Sequence, residues 1–568
     1  MLIEESRRLT GPNLFTHLPG AICDIEAAVS EHAALGQAWR SHARTLLDAL
    51  GWQDSVCFER SHATGISLML TAPIDCLYAA TDLNEAAFAM AEAELSGGVL
   101  PAFDVTVQHL QTLIAEEQSA ALVRLSSMAA EKEVPFLSDD DEVSIGFGER
   151  ASVWPADQLP ATDTIDWQTA GHHGDTPVAL ITGTNGKSTT VRLAASIIAA
   201  GDRTAGVTST DYIRVGDEVI DTGDYSGPGG ARQLLRHPKT DVALLEVARG
   251  GMLRRGLGVT QADVALITNV AADHLGEYGI HTVAELRDAK FIVRRGLAPN
   301  KPLILNADDP GVVAYASDLT GQVIVWFSES PDNPTVQSHV ATGGHAFVVA
   351  DGQLTFHDRS GDTAIVPIND VPVTLAGSAR HNVQNAVAAA ALCYELGCDF
   401  PAIKKGLIEF GGGPDENPGR GNFFEGKGVK AVVDFAHNEH GLSAMAKTIA
   451  NMPAKRRLVL MGQAGDRSDA LIDGLTKAAL QAQPDQLVVC QLPGYERGRP
   501  PEEVPQLIAQ IAMDAGVDAA AIHHARDPAS GTRFALEWAR PGDLLLILAL
   551  TQRDESIRLI QSALHADA

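Results

Sequence analysis

The sequence predicts an α/β protein with an N-terminal α+β domain, a central domain built on a doubly wound parallel sheet, and a C-terminal Rossmann-like α/β domain. Short apolar runs alternate with helical segments from about residue 176 onward, as a parallel sheet requires. A glycine-rich loop joins one of these runs directly to a helix, and a second alternating series follows the Gly/Pro-rich stretch 411–414. At 568 residues the chain is also too long for a single hydrophobic core.

We expect the three domains to cover residues 1–165, 170–415 and 416–568. The first combines a strand at 65–70 with helical regions at 27–50, 83–95 and 110–131. Residues 138–166 are acidic and proline-rich, which indicates a boundary or linker. Buried strands of the central domain are expected at 178–182, 242–247, 264–269 and 303–306. Strands of the C-terminal domain are expected at 429–435, 457–461, 486–490 and 543–548.

Composition and charge narrow the range of functions. The chain is 45% apolar and 20% charged, which is typical of an ordinary globular protein. Its formal net charge of -29 argues against a nucleic-acid partner, because phosphate backbones need a basic surface. We therefore expect small-molecule substrates.

The distribution of cysteine and apolar residues predicts a cytoplasmic protein. The six cysteines are scattered and form no C-x-x-C pair, as expected for buried free thiols in a reducing compartment. The start of the chain is acidic and is followed by no apolar run, unlike a signal peptide. No stretch approaches the roughly 18 to 20 apolar residues that span a bilayer, so no membrane partner is expected.

A phosphate-binding loop is predicted at Gly183–Thr189. The apolar strand before it and the helix-compatible segment 191–200 after it supply the geometry in which backbone N–H groups and a helix N-terminus face a phosphate. Lys187 would contact the β- and γ-phosphates of a nucleotide, and the Ser188 hydroxyl would bind magnesium. The general G-x-x-x-x-G-K-[ST] pattern would require glycine where the chain has Ile181, so the match to that pattern is incomplete.

The shorter form T-G-T-N-G-K-[ST] resembles the Mur ligase family, which includes folylpolyglutamate synthetases and the C-terminal half of cyanophycin synthetases. Further motifs extend this resemblance in the same order along the chain. They are Leu245–Gly251, Thr268–Leu275, Asn306–Pro310, Gly377–Asn385, Pro418–Arg420 and Asp434–Asn438. Six ordered motifs are far more specific than one loop.

Within that family the chain most resembles the cyanophycin synthetase branch. The segments 248–251, 271–274 and 465–467 look like that branch, and the N-terminal segments 8–13 and 143–148 resemble the opening and the close of its N-terminal domain. In that branch an ATP-grasp domain separates the two parts, whereas only residues 149–182 stand between them here. The resemblance therefore implies a single ATP site and one ligation, not a complete two-step polymerisation.

The resemblance implies an ATP- and Mg²⁺-dependent ligase. The γ-phosphoryl group would pass to a substrate carboxylate, and an amine would then attack the acyl phosphate, so the site must supply cations and N–H donors. Glu246 would hold magnesium beside Ser188, and His274 resembles the family's ligand for a second metal ion. Lys290 occupies the position that resembles the family's carbamylated lysine, whose carbamate would hold the second magnesium. The catalytic residues implied are Lys187, Glu246, His274 and Lys290.

Other residues are expected to contact the nucleotide. His381 and Asn382 lie in a segment that resembles the adenine-contacting part of the family, and Arg420 and Asp434 resemble C-terminal residues that touch the nucleotide. ATP would thus bridge two domains, and their closure would exclude water from the acyl phosphate. The complete nucleotide-binding set implied is Thr184, Asn185, Gly186, Lys187, Ser188, Thr189, Asn269, His381, Asn382, Arg420 and Asp434.

The C-terminal domain is expected to select the amine. Residues 465–469 follow the strand at 457–461, at the carboxyl end where open α/β sheets bind ligands. Arg467 would hold the carboxylate of an amino acid, and Asp466 or Asp469 would hold a cationic group.

The substrates remain open at this point. The leading hypothesis is an amide ligase for an amino acid or short peptide. The alternatives are a nucleotide-binding regulatory or scaffold protein, and a ligase of the folylpolyglutamate or cell-wall type. The N-terminal domain shows no catalytic set; recognition of a polymer, homo-oligomerisation or support of the ligase all fit it.

Overall fold

The computed structural model describes residues 1–565, and its first sheet lies in the N-terminal region. Four antiparallel strands take the order β1-β2-β4-β3, and buried apolar residues pack this sheet against the first two helices. A separate antiparallel sheet has the order β5-β6-β7. The strands are β1 (Leu2–Leu9), β2 (Gly20–Glu26), β3 (Cys57–His62), β4 (Gly65–Thr71), β5 (Phe136–Ser138), β6 (Glu142–Ile145) and β7 (Ser152–Pro155). The helices are α1 (His32–Ala49), α2 (Leu77–Ser96), α3 (Phe103–Glu117) and α4 (Ala120–Glu131).

The central sheet has eleven strands, in the order β11-β10-β9-β12-β8-β13-β14-β15-β16-β17-β18. Seven adjacent strands, from β9 to β16 in that order, are parallel. Its strands are β8 (Val178–Thr182), β9 (Ala205–Thr208), β10 (Tyr212–Val215), β11 (Glu218–Thr222), β12 (Val242–Glu246), β13 (Val264–Ile267), β14 (Leu303–Asn306), β15 (Ile324–Ser328), β16 (Ala346–Ala350), β17 (Gln353–Asp358) and β18 (Gly361–Pro367).

Helices cover both faces of the central sheet, so two hydrophobic cores flank it. One face carries α5, α11 and α12, and the other carries the shorter helices. These are α5 (Lys187–Ala200), α6 (Pro228–Leu235), α7 (Arg249–Arg255), α8 (Val283–Lys290), α9 (Pro310–Ala316), α10 (Pro334–Ala341), α11 (Arg380–Glu395) and α12 (Phe400–Glu409).

The C-terminal sheet has six strands in the order β19-β20-β24-β21-β22-β23. Only β19 is antiparallel to its neighbour. The strands are β19 (Arg420–Gly426), β20 (Val429–Asp434), β21 (Arg457–Met461), β22 (Gln486–Cys490), β23 (Ile522–Ala525) and β24 (Leu544–Leu548). The helices are α13 (Glu439–Asn451), α14 (Asp469–Leu480), α15 (Glu503–Asp514), α16 (Pro528–Trp538) and α17 (Arg553–His565).

The predicted fold class is confirmed, with corrections to individual elements. The segment 138–166, expected to be a boundary or linker, contains β6 and β7, which pair with each other. The helix expected at 110–131 is broken, since the Ser119 hydroxyl caps a new helix by accepting from the Leu122 N–H. The strand expected at 264–269 ends at Ile267. Past it, the Asn269 carbonyl accepts from the Thr184 N–H of the glycine-rich loop at 2.9 Å.

Two further observations bear on the predictions made from composition. All six cysteines are free, and five of them are buried. Among residues 1–565, no helix combines the length and the apolar character needed to cross a membrane.

Candidate active site

A cavity of about 1000 Å³ opens where the carboxyl ends of the central strands face the C-terminal sheet. Arg8 of the N-terminal strand β1 and Thr10, which follows that strand, also line its wall. The residues predicted to bind nucleotide or metal all line this one cavity. They are Thr184, Asn185, Gly186, Lys187, Ser188, Thr189, Glu246, Asn269, His274, Lys290, His381, Asn382, Arg420 and Asp434.

The loop Gly183–Thr189 depends on two glycines. Gly183 and Gly186 have φ values of 149° and 87°, in the region that side chains disfavour. A Cβ at Gly183 would lie 1.8 Å from Thr268 Oγ1, and one at Gly186 would lie 2.2 Å from Asn385 Oδ1. The loop therefore packs against its neighbours with backbone alone, and α5 begins at Lys187 directly behind it. This is the arrangement in which N–H groups converge on an anion.

The loop is tied to the strand end at Asn269. The Asn185 N–H donates to Asn269 Oδ1 at 3.0 Å, and Asn269 Nδ2 donates back to the Asn185 carbonyl at 3.0 Å. Lys187 Nζ donates to the carbonyls of Gly183 and Thr184, both at 3.0 Å. The Ser188 hydroxyl lies 3.5 Å from Thr210 Oγ1.

Glu246 ends β12 beside the loop and has the character expected of a cation ligand. The residue is only 2% exposed, and both of its carboxylate oxygens are buried without a hydrogen-bond partner among the described residues. A buried, unpaired carboxylate costs several kcal/mol as a rule. An oxygen-preferring divalent cation would satisfy these atoms, so the residues present fit magnesium.

Lys290 lies at the end of α8 and is 3% exposed. It forms no ion pair within the described part of the chain. Burial lowers the pKa of its amine well below the usual value, and the positive charges of Lys187 and Arg249 act in the same direction. This shift favours the neutral amine, which is the form that reacts with carbon dioxide to give a carbamate.

A second group of possible ligands surrounds Asp273. One ligand atom each from Asp273, His274 and His437 lies within 4.8 Å of the others. His274 has a left-handed backbone, with φ of 48°. Burial opposes ionisation of Asp273, but His437, His274 and Arg467 hold its pKa well below the usual range. The group thus joins the central sheet to the C-terminal sheet through one ionised carboxylate.

Arg420 and Asp434 face each other across β19 and β20. Burial raises the pKa of the Asp434 carboxyl to about 6, although Arg420 opposes this, and burial also lowers the pKa of the Arg420 guanidinium. The Arg420 guanidinium lies 4.7 Å from the centre of the Phe435 ring. Both side chains line the cavity from the C-terminal side, as expected of residues that touch a bound molecule there.

His381 and Asn382 open α11 at the cavity wall. Asn382 Nδ2 donates to the Val373 carbonyl at 2.9 Å, while its Oδ1 accepts from Asn385 Nδ2 at 3.1 Å. Burial lowers the pKa of His381 to about 4, and its Nδ1 has no partner among the described residues. A neutral imidazole is therefore available at this wall.

The three predicted amine-binding residues follow the end of β21, and their side chains have different neighbours. Arg467 points toward the metal-ligand group, and its Nη2 donates to His274 Nε2 at 3.2 Å. None of the three is among the residues that line the cavity, although His274, which Arg467 contacts, is. Asp466 and Asp469 are taken up by ion pairs. They pair with Arg497 at 2.5 Å and with Arg499 at 2.7 Å.

The sequence prediction omitted several residues at or near the cavity. Asp273 and His437 line it and bring metal-ligand atoms, and Asn438 pairs with Asn185 of the loop. All three lie inside motifs that were recognised, just past a strand end, and that position was the available signal. Arg249, which donates to the His274 carbonyl at 2.7 Å and pairs with Glu277, was recognised only as part of a motif.

Comparison with known proteins agrees with this geometry. Residues 181–393 match the family described as Mur ligase middle domain, and residues 419–549 match the Mur ligase, glutamate ligase domain. The chain is 35% identical to a cyanophycin synthetase of Geminocystis herdmanii over 440 residues, which cover 75% of the chain and 50% of the relative. It is 32% identical to one of Crocosphaera subtropica, over 82% of the chain and 54% of the relative. The chain thus spans about half the length of these curated relatives.

A solved structure shares the fold. The structure described as "E.coli FolC in complex with DHPP and ADP" has a TM-score of 0.52 and 20% sequence identity, and the match covers 69% of this chain and 90% of that one. The two matched Mur ligase domains together contain every predicted nucleotide- and metal-binding residue. The chain therefore belongs to the Mur ligase family.

Proposed function

We propose that this protein is an ATP-dependent ligase that joins a carboxylate to the amine of an amino acid or short peptide. A carboxylate oxygen attacks the γ-phosphorus and ADP leaves. The amine nitrogen then attacks the acyl carbon of the acyl phosphate, inorganic phosphate leaves with the C–O bond electrons, and the amine loses a proton. The free cysteines and the requirement for ATP fit a cytoplasmic setting.

The observation that carries the proposal is the buried, unpartnered carboxylate of Glu246 beside the phosphate loop. With Ser188 it offers the oxygens that magnesium prefers, next to the N–H groups that would receive the phosphates. When bound there, magnesium would neutralise charge on the transferring phosphoryl group. Lys187 would orient the same group from the helix N-terminus.

Lys290 supports phosphoryl transfer to a carboxylate in particular. Its neutral amine attacks carbon dioxide, a C–N bond forms, and a proton is released to give a carbamate anion. That anion would lie near the Asp273 group, where the family places a second metal ion. The two cation positions would bracket the site where the substrate carboxylate meets the γ-phosphate.

Contacts between the central and C-terminal sheets support a closed active site. Arg192 bridges them by donating to Asn417 Oδ1 at 2.9 Å, and Arg553 of α17 donates to Asp211 Oδ1 at 2.9 Å. Closure of this kind protects an acyl phosphate, because water would otherwise hydrolyse it. Arg467 would then hold the carboxylate of the incoming amino acid beside His274.

A screen for phosphate release tests the proposal. Purified protein with ATP and magnesium is given pairs of carboxylates and amines that include amino acids, dipeptides and cyanophycin fragments. The proposal expects release only when both partners are present, together with an amide product of the matching mass. Tight ATP binding without turnover for any pair would instead favour the regulatory alternative, and turnover only with a folate or a cell-wall precursor would favour the other ligase classes.

A further inference from the structure

The active-site cavity extends beyond the phosphate loop to a group of arginines. Arg232 of α6 and Arg254 and Arg255 of α7 line it, together with Arg8 of the N-terminal strand. Arg232 is 8% exposed, whereas Arg254 is exposed. The arginines therefore differ in exposure: the side chain of Arg232 is buried, and that of Arg254 is in contact with solvent.

Three of these arginines lack an acidic partner. Within residues 1–565 no carboxylate oxygen lies within 4.0 Å of the guanidinium nitrogens of Arg232, Arg254 or Arg255. The fourth differs, because Arg8 Nη1 donates to Asp140 Oδ1 at 2.6 Å.

All but one of the nearby carboxylates have another arginine as their cationic neighbour. Asp139 pairs with Arg236 at 2.7 Å, Asp140 pairs with Arg8, and Glu5, whose charge acts on Arg255, lies 3.7 Å from Arg7. Asp224 has no cationic partner in the described part of the chain, and accepts from the N–H and the hydroxyl of Ser226. Three unpaired guanidinium groups thus face one unpaired carboxylate, which leaves this end of the cavity positive in a chain whose net charge is -29.

The positive charges of the arginines also lie close enough to repel one another. Burial lowers the pKa of Arg232; Asp139 opposes this, and the charges of Arg236 and Arg8 add to it. Burial lowers the pKa of Arg255 as well, with further contributions from Arg8 and Arg254 and an opposing one from Glu5. A cluster of like charges under partial burial is unfavourable without a counter-charge, so the packing that gathers these side chains fits a site for an anion.

The N-terminal strand is built into this group. The Thr10 N–H donates to the Arg255 carbonyl at 2.7 Å, and Arg232 Nη2 donates to Thr10 Oγ1 at 2.7 Å. Arg7 adds a further tie through Nε, which donates to the Leu253 carbonyl at 3.2 Å. Thr10 is therefore a positioning residue: its hydroxyl accepts from the Arg232 side chain, and its N–H holds the main chain at Arg255.

We propose that Arg232, Arg254 and Arg255 bind further carboxylates of the substrate whose carboxylate is phosphorylated, so that this substrate is an acidic peptide. In an acidic peptide each residue carries a carboxylate, so one can be phosphorylated while others bind the arginines. A guanidinium group binds a carboxylate through two parallel N–H···O hydrogen bonds. The N-terminal region completes this subsite through Arg8 and Thr10. The inference rests on the proposed ligase function and names its substrate class.

Binding of triaspartate tests the inference. Isothermal titration calorimetry on full-length protein saturated with magnesium and a non-hydrolysable ATP analogue compares the wild type with Arg255→Gln, Arg254→Gln and Thr10→Val. Each arginine variant should raise the Kd for triaspartate roughly tenfold or more, since a charge-assisted hydrogen bond is lost. Thr10→Val should raise it about threefold, because Arg232 loses the hydroxyl that holds it, whereas the main-chain hydrogen bond from residue 10 to the Arg255 carbonyl remains. The Kd of the ATP analogue should stay unchanged throughout.

The controls separate this subsite from general charge effects. Arg526→Gln removes an 83% exposed arginine far along the chain and should leave triaspartate binding unchanged. Triasparagine, which is neutral along its side chains, should bind much more weakly than triaspartate. Equal binding of triaspartate to wild type and all variants, or no binding to any, would overturn the inference. Preferential binding of inorganic pyrophosphate at these arginines would overturn the acidic-peptide assignment.

The two proposals fail in different ways. If triaspartate binding depends on the arginines but no amine supports turnover, the proposed ligase function is wrong and the carboxylate subsite is supported. If the enzyme turns over monocarboxylates and neither Arg254→Gln nor Arg255→Gln changes kcat/KM, the subsite is wrong and the ligase function is supported.

Discussion

The side-chain amides of Asn185 and Asn438 form two reciprocal hydrogen bonds, with Asn185 Nδ2 donating to Asn438 Oδ1 at 3.2 Å and Asn438 Nδ2 donating to Asn185 Oδ1 at 3.0 Å. Asn185 belongs to the phosphate loop, and Asn438 caps α13 of the C-terminal sheet by accepting from the Gly441 N–H. One amide pair thus couples the position of the C-terminal sheet to the loop expected to bind ATP.

The first prediction concerns this amide pair. Asn438→Ser keeps an oxygen that can cap α13 but is too short to reach Asn185. Loss of two hydrogen bonds worth about 0.5–1.5 kcal/mol each should raise the KM for ATP on the order of tenfold. Steady-state kinetics measures this, and unchanged circular dichroism shows that the fold remains. An unaltered KM would mean that the pair does not contribute to closure.

The second prediction concerns Glu246. In the absence of nucleotide and metal, Glu246→Gln replaces a buried carboxylate that has no hydrogen-bond partner among residues 1–565, and should stabilise the protein by on the order of 1–3 kcal/mol. The same change should abolish turnover and reduce the stabilisation that Mg²⁺-ATP gives. Thermal unfolding with and without Mg²⁺-ATP measures both effects. A variant that is less stable without metal, or still turns over, would contradict the assignment of Glu246 as a magnesium ligand.

The third prediction is a pH dependence that arises from Lys290. Burial lowers the folded-state pKa of this amine, so between the folded and unfolded pKa values the unfolded chain binds one proton more. This contribution to stability is present above the unfolded pKa and is lost as the pH falls through the folded pKa. The wild type should therefore gain up to about 1.4 kcal/mol per pH unit over Lys290→Met as the pH rises between these two pKa values.

Urea unfolding of both proteins in CO₂-free buffer measures this difference. If the free energy of unfolding changes with pH in the same way for wild type and Lys290→Met, folding does not lower the pKa of the Lys290 amine, and the prediction is wrong. With ¹³C-labelled bicarbonate restored, the wild type alone should show a carbamate carbon signal by NMR.

The fourth prediction concerns Arg467. Its contact with His274 places it beside the metal-ligand group, whereas Asp466 and Asp469 pair with Arg497 and Arg499. Arg467→Gln should lower kcat/KM for the amine substrate by about 10² and leave the KM for ATP within a few-fold. Arg526→Gln is the matched control. A selective increase in the KM for ATP would assign Arg467 to the nucleotide instead.

Sequence patterns were sufficient for the phosphate loop and for four of the seven parallel strands of the central sheet, β8, β12, β13 and β14; β9, β15 and β16 were not predicted. The strand at 178–182 and the loop after it were predictable because a buried apolar run followed by glycine, lysine and serine has few structural alternatives. The antiparallel hairpins at the edges of the central sheet, β10–β11 and β17–β18, were not predicted. Their residues alternate less clearly and resemble loops in sequence.

Contacts between distant parts of the chain were beyond sequence reasoning. Asn185 and Asn438 are separated by 253 positions, and Thr10 and Arg232 by 222. Their meeting depends on how the sheets pack, which no local pattern encodes. The arginine group at the cavity was missed for the same reason, because its members come from three separate elements.

Transfer of oxygen from the substrate tests the central claim most directly. A carboxylate substrate that supports turnover is labelled with ¹⁸O in its carboxylate groups and incubated with ATP, magnesium and its amine. Activation as an acyl phosphate predicts that one ¹⁸O atom appears in each inorganic phosphate released, as measured by mass spectrometry. Release of unlabelled phosphate would contradict the account, because it would show that water, and not the carboxylate, attacks ATP.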